Sequence, residues 1–171
     1  MSDESLTPVP FERIVEALNR RKVKYLVIGG VAAILQGVPL PRTADLDVTP
    51  SGDLENKKRL ARVLQDLNAK LRAPGLDEGV DIPLDERTFS GMVTMTFVTR
   101  FGPLDISFVP DGTTGYDDLL RDAQVVERFG IQIPVASITD IVRSKRAAGR
   151  EKDAGHLVIL AEFLKQLRDE T

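Results

Sequence analysis

The run Tyr25-Leu-Val-Ile-Gly-Gly30 passes directly into Val31-Ala-Ala-Ile-Leu-Gln-Gly37, and no other stretch of the chain leaves it fewer ways to fold. Four apolar or aromatic residues closing on two glycines predict a buried strand, and the apolar segment after them predicts a short helix that opens at once. Backbone N–H groups exposed at such a turn attract phosphate. Gly29-Gly30 also fits a plain strand-to-helix turn that needs positive φ. The next strand candidate is Asp45-Leu-Asp-Val-Thr49. Strand side chains alternate faces, so Asp45 and Asp47 share one face while Leu46 and Val48 point into the core. Two like charges on one face repel, and a divalent cation with hard oxygen ligands, Mg²⁺, relieves that repulsion. A lone Asp-x-Asp also occurs on a solvated strand face, so the pair needs a third group.

Periodicity supplies one. Met92 to Thr99 and Leu104 to Val109 alternate around Arg-Phe-Gly-Pro, which predicts a β-hairpin. Its second arm carries Leu104, Ile106 and Phe108 on one face and Asp105, Ser107 and Val109 on the other. Asp105 is therefore a carboxylate on the polar side of a strand.

The remaining elements follow from the same signals. Thr7-Pro8 starts a helix with Phe11, Ile14, Val15 and Leu18 at i, i+3, i+4, i+7, and Val23 to Ile28 form the first strand. Val31 to Gln36 form the second helix, with Gly37 as its left-handed cap. Ser51 or Asp53 caps a long helix with the stripe Leu60, Val63, Leu64, Leu67 and Leu71. Residues 73 to 90 have no clear period and read as loop with one short strand. A short helix is expected near Tyr116 to Asp122, then a small hairpin of Gln124 to Arg128 and Ile131 to Val135. Ser137-Ile-Thr-Asp140 reads as a capping box opening a helix that ends near Gly149. Leu157, Leu160, Ala161, Leu164 and Leu167 mark a terminal helix. Tyr25, Phe11, Phe89 and Phe97 read as core.

Composition narrows the function. With 171 residues, 42% hydrophobic and 29% charged, the chain suits one buried core, and we expect a single domain spanning 1–171: sheet core over 23–110, C-terminal helices over about 137–171. A net charge of −3 gives no global basic field for non-specific nucleic-acid binding. The absence of Cys excludes disulfides, zinc-thiolate sites and thiol nucleophiles. No segment reaches the roughly 18 apolar residues of a membrane span and the start is polar and acidic, so a cytoplasmic protein with no membrane partner is expected.

In their order, Gly-Gly-Val-Ala-Ala-Ile-Leu-Gln-Gly, Arg42-Thr43-Ala44-Asp45-Leu46-Asp47, Leu104-Asp105-Ile106 and Lys145-Arg-Ala-Ala-Gly-Arg150-Glu-Lys152-Asp153 resemble the nucleotidyltransferase superfamily with a DNA polymerase β-like core. Within it the chain looks most like the AbiEii-type and minimal nucleotidyltransferase branch, many of whose members are toxins of toxin–antitoxin pairs. The resemblance covers roughly residues 23 to 160. It implies an α+β fold with a mixed sheet flanked by helices, and transfer of a nucleoside monophosphate from a nucleoside triphosphate (ATP or another NTP) to an acceptor hydroxyl.

By the same resemblance Asp45, Asp47 and Asp105 hold two Mg²⁺ ions, and Asp105 receives the hydroxyl proton. Gly29 and Gly30 admit the β- and γ-phosphates, and Arg42, Thr43, Lys145 and Lys152 contact the nucleotide. Many relatives have Gly-Ser at the glycine pair, so a Ser contact to phosphate is absent here. RNA, tRNA-like, or a protein is the acceptor expected, with a small antitoxin as partner. Two alternatives stay open: a small-molecule acceptor of the antibiotic type, and a non-catalytic module with the same fold. The run Arg143 to Asp153 also reads as a solvated helix face, and Arg42 as an ion-pair partner of Asp45 or Asp47.

Overall fold

The computed structural model describes residues 10–41, 43 and 45–170. The expected helix start at Thr7-Pro8 and the candidate Arg42 lie outside the described residues. Among the described residues, eight strands form one mixed sheet: β1 (Tyr25–Ile28), β2 (Leu46–Pro50), β3 (Lys70–Ala73), β4 (Leu76–Val80), β5 (Thr94–Thr99), β6 (Gly102–Ser107), β7 (Gln124–Arg128) and β8 (Ile131–Val135). Their order is β4-β3-β5-β6-β2-β1-β8-β7, so the glycine-ended strand and the Asp47 strand are neighbours at the centre. β2 runs parallel to β6 and β1 parallel to β8, while the other neighbours are antiparallel.

Period-two alternation sorts the two faces. Leu46 lies opposite Leu104 and Val48 opposite Ile106, and all four are buried in the core. On the opposite face the register aligns Thr96 with Asp105, Asp105 with Asp47, and Asp47 with Ile28. One row of side chains therefore crosses β5, β6, β2 and β1 with two carboxylates at its centre.

Six α-helices among the described residues flank the sheet: α1 (Phe11–Arg20), α2 (Gly29–Leu35), α3 (Leu54–Asp66), α4 (Tyr116–Leu120), α5 (Ile138–Ala148) and α6 (Ala154–Asp169). The stripe Phe11, Ile14, Val15 and Leu18 of α1 is buried, and so are Leu60, Val63 and Leu64 of α3. Phe89, Phe97 and Tyr25 join the same core. Asp53 caps α3, accepting from Asn56 N–H at 2.8 Å and from Ser51 Oγ at 2.8 Å. Ser137 Oγ caps α5 by accepting from Asp140 N–H at 3.1 Å, and Gly149, left-handed at φ +63°, ends that helix.

Several expectations are corrected. Leu71 belongs to β3 and not to the α3 stripe, because the chain turns at Asn68 with φ +51°. The segment read as loop with one short strand contributes to a β3–β4 hairpin turning at Pro74-Gly75, followed by a 3₁₀ turn at Glu86–Phe89. Asp45 precedes β2 instead of opening it. The Asp140 carboxylate meets Arg143 Nη2 at 3.0 Å, and only the Ser137 half of the predicted capping box is formed. In α6, Leu160 is buried while Ala161 and Leu167 are exposed.

Candidate active site

The carboxylate row forms the floor of a cleft of about 300 Å³. β1 contributes Ile28 and β2 contributes Asp47, with Gly29 between them at the start of α2; β5 and β6 contribute Thr94, Thr96, Asp105 and Ser107. The segment after β6 adds Val109, Asp111 and Thr113, and α5 adds Asp140, Ser144 and Lys145. Arg150, from the turn after α5, completes that side.

Asp47 and Asp105 are within hydrogen-bonding reach of each other. Burial pushes the Asp47 carboxyl well above the usual carboxylate range. The hydrogen bond with Asp105 and the negative charges of Asp105 and Asp45 push it the same way, while Lys145 opposes them. Asp105 Oδ1 is buried with no hydrogen-bond partner among the described residues. Such a pair of carboxyls holds either a shared proton or a cation.

The donor set, all hard oxygen with one oxygen orphaned, suits Mg²⁺. Among the described residues, no group of three or more His, Cys, Asp or Glu side chains converges closely enough to hold a metal as it stands. Asp47 and Asp105 converge, whereas Asp45, at the end of the loop before β2, reaches Asp47 through its charge.

Gly29 has φ +69°, and a Cβ there would stand 2.5 Å from Asp47 Oδ2. The missing side chain thus makes room for the carboxylate itself. A Cβ on Gly30 would meet Thr43 Cγ2 at 3.4 Å, and Thr43 Oγ1 accepts from Asp45 N–H at 3.4 Å. Thr43 therefore seats Asp45 over the start of α2.

The basic run after α5 divides. Lys145 is largely buried, and its Nζ lies 3.3 Å from Asp153 Oδ1; Arg150 Nε lies 2.9 Å from Asp153 Oδ2. Asp153 is itself buried. Burial alone would raise its pKa, but the charge of Lys145, the hydrogen bond and charge of Arg150, and the hydrogen bond of Lys145 hold it below the usual range. Lys152 is exposed and does not line the cleft. Of the basic residues in this run, Lys145, expected at the nucleotide, lines the cleft, and so does Arg150, which was not among the expected site residues. The left-handed Gly149, which reverses the chain after α5, was the available signal.

No family model and no curated protein matches the chain. Solved structures do. A candidate nucleotidyltransferase from Thermotoga maritima matches with a TM-score of 0.56 and 22% identity over 94% of this chain and 91% of its own. The lincosamide antibiotic adenylyltransferase LnuA, with lincomycin bound, matches with a TM-score of 0.60 and 15% identity over 92% of this chain and 98% of its own. ANT(2")-Ia in complex with adenylyl-2"-tobramycin gives 0.59 and 15% over 94% and 90%. The fold is that of the nucleotidyltransferases. These likenesses do not select the AbiEii-type branch from the others.

Proposed function

We propose that this chain is a single-domain, Mg²⁺-dependent nucleotidyltransferase that moves a nucleoside monophosphate from a nucleoside triphosphate to a hydroxyl of RNA or protein. We place it as the enzyme or toxin half of a two-component system, which rests on the sequence resemblance alone, in the cytoplasm, which rests on the polar start and the absence of a long apolar segment in the sequence. The observation that carries the reaction is the in-register pair Asp47 and Asp105, in contact at the floor of a cleft whose α5 side presents Lys145.

Asp47 and Asp105, with Asp45 at the loop, are the residues that would hold Mg²⁺, which when bound supplies charge neutralisation to the attacking and leaving oxygens. The chain's own groups do the remainder. The acceptor oxygen forms a bond to the α-phosphorus, the bond to the α,β-bridging oxygen breaks, and pyrophosphate leaves. The hydroxyl proton passes to Asp105. Lys145 balances negative charge on the phosphates as a point charge. Gly29 keeps Asp47 close under the start of α2, and Gly30 leaves room for Thr43, which holds Asp45 in place.

One observation favours a second acceptor class. The β5–β6 side of the cleft, with the segment after it, carries Thr94, Thr96, Ser107, Asp111 and Thr113 and no Lys or Arg among the described lining residues. A polyanion needs cations along its path. This side instead suits a neutral or amine-bearing, hydroxylated small molecule, the kind of compound that LnuA and ANT(2")-Ia hold in their structures. The test incubates the protein with Mg²⁺ and each α-phosphate-labelled nucleoside triphosphate, offering cellular RNA, protein extract and a panel of small polyols and amino sugars in parallel. Label transferred by wild type and not by Asp47→Ala establishes the reaction and identifies the acceptor. No transfer, together with no Mg-nucleotide binding by calorimetry, leaves the non-catalytic module as the reading.

A further inference from the structure

The cations of α5 fall into two sets. Helical spacing puts Asp140, Ile141, Ser144 and Lys145 on the cleft, while Val142, Arg143 and Arg146 line a separate groove against α6. Arg143 is engaged with Asp118 and Asp140. Lys145 is thus the cation that α5 itself gives to the cleft.

The chain then supplies another. Gly149 donates its N–H to Lys145 O at 3.2 Å and turns left-handed, and a 3₁₀ turn at Glu151–Asp153 follows. This reversal brings Arg150 back to the cleft wall and sends Asp153 into the interior, where its side chain is 7% exposed. Asp153 divides its two oxygens between the two cations, Oδ1 to Lys145 and Oδ2 to Arg150. Among the described residues it engages Nε of Arg150, and the two terminal nitrogens of the guanidinium can face another acceptor. A buried carboxylate that fixes two cations on one cleft wall restricts both long side chains before any ligand arrives, and reduces the entropy lost on binding.

We propose that Arg150 is the second cation of a triphosphate-binding pair with Lys145, and that Asp153 is the positioning residue that holds both at the cleft. This rests on the nucleotidyltransferase reading above. The two cations have different stations. Lys145 projects into the cleft from α5 itself, whereas Arg150 enters its wall beyond the Gly149 reversal, and Asp153 links the two. Arg150 suits the β,γ end of a triphosphate, because its planar guanidinium offers two parallel N–H bonds to phosphate oxygens where an ammonium offers a point charge. Lys152 is exposed, away from the cleft lining, and plays no part in this pair.

Calorimetry with Mg²⁺ and the four nucleoside triphosphates, repeated with the monophosphate of the tightest binder, tests this. Loss of a charge-assisted bond predicts that Arg150→Ala weakens triphosphate binding about tenfold to a hundredfold. Monophosphate binding is unchanged, Arg150→Lys recovers part of the loss, and Lys152→Ala binds as wild type. Asp153→Asn weakens triphosphate and not monophosphate, and the double variant with Arg150→Ala loses less than the sum of the two single losses, because one acts through the other. If wild type binds triphosphate and Arg150→Ala binds it equally, or if Lys152→Ala carries the loss, the proposal falls and the nucleotidyltransferase reading stands. If wild type binds no triphosphate at all, that reading falls and takes the proposal with it.

Discussion

Replacing Asp105 with Asn should stabilise the metal-free protein at neutral pH, although it removes a residue of the proposed chemistry. Asp47 and Asp105 lie directly opposite on neighbouring strands, and two unit charges about 4 Å apart repel by about 4 kcal/mol at an effective dielectric near 20. Burial, the hydrogen bond with Asp105 and the charges of Asp105 and Asp45 hold the Asp47 carboxyl above its ordinary value, so the folded protein relieves part of this repulsion by binding a proton there more readily. A group whose folded pKa exceeds its unfolded one binds more protons when folded. Stability therefore falls as pH rises from about 4 through the folded-state value. The amide introduced by Asp105→Asn donates N–H to Asp47 at every pH and removes one charge. With Lys145 already offsetting part of the repulsion, the gain at pH 8 should be about 1–3 kcal/mol, or about 2–10 °C in Tm. At pH 4, where the wild-type pair carries its proton, the gain should vanish. Thermal unfolding from pH 4 to 8 with a chelator present measures this. Equal effects at both ends, or a loss of stability at pH 8, would refute the account of the pair.

Four other outcomes follow from particular contacts. Asp153→Asn should show the opposite pH signature: Asp153 is held below its ordinary value, so the stability it contributes is present above about pH 4 and lost as pH falls, and unfolding curves of variant and wild type should converge in acid. Gly29→Ala combines positive-φ strain with a Cβ 2.5 Å from Asp47 Oδ2, and should cost about 2–4 kcal/mol in urea unfolding and abolish Mg-nucleotide binding in calorimetry. Asn56 is buried, accepting from Lys24 N–H at 2.7 Å and donating to Lys24 O and Ser51 O at 2.9 and 2.8 Å; Asn56→Ala should cost about 2–4 kcal/mol in the same assay while leaving nucleotide affinity at wild-type strength. Arg21→Ala breaks the Arg21–Asp66 pair at 2.8 Å, but both side chains are part-exposed, so the shift in the urea midpoint should be small and shrink further in 1 M salt.

The centre of the fold was legible because alternation is a strong constraint where one strand face is buried. Leu46 and Val48, Leu104 and Ile106 had to point inward, which forced Asp47 and Asp105 to the other face before any pairing was known. The α5 boundaries were legible for a different reason: Ser137 and Gly149 have few other uses at those positions. The β3–β4 hairpin was hidden because β4 is an edge strand with little burial, Leu76 being 54% exposed, so no apolar alternation marks it. Leu71 matched the helical spacing of α3, and only the left-handed Asn68 separates the two elements. Among the basic residues, Gly149 signals a chain reversal, but residue type alone does not separate Arg150, which reaches the cleft, from Lys152, which does not. That distinction depends on the chain reversal at Gly149 and on how deeply Asp153 packs. The convergence of Asp47 with Asp105 was likewise readable only as a shared face, since parallel pairing of β2 with β6 joins segments far apart in the chain.

The central claim is that Asp47 and Asp105 serve transfer of the α-phosphoryl group with its nucleoside, and the position of the label tests it most directly. The protein, Mg²⁺ and the acceptor mixture should be incubated with a nucleoside triphosphate labelled at the α-phosphate and, separately, at the γ-phosphate, with wild type beside Asp47→Asn. The account predicts α-label retained on the acceptor and γ-label released as pyrophosphate, both abolished in the variant. Retention of γ-label on the acceptor, or α-label transfer undiminished by Asp47→Asn, would contradict it.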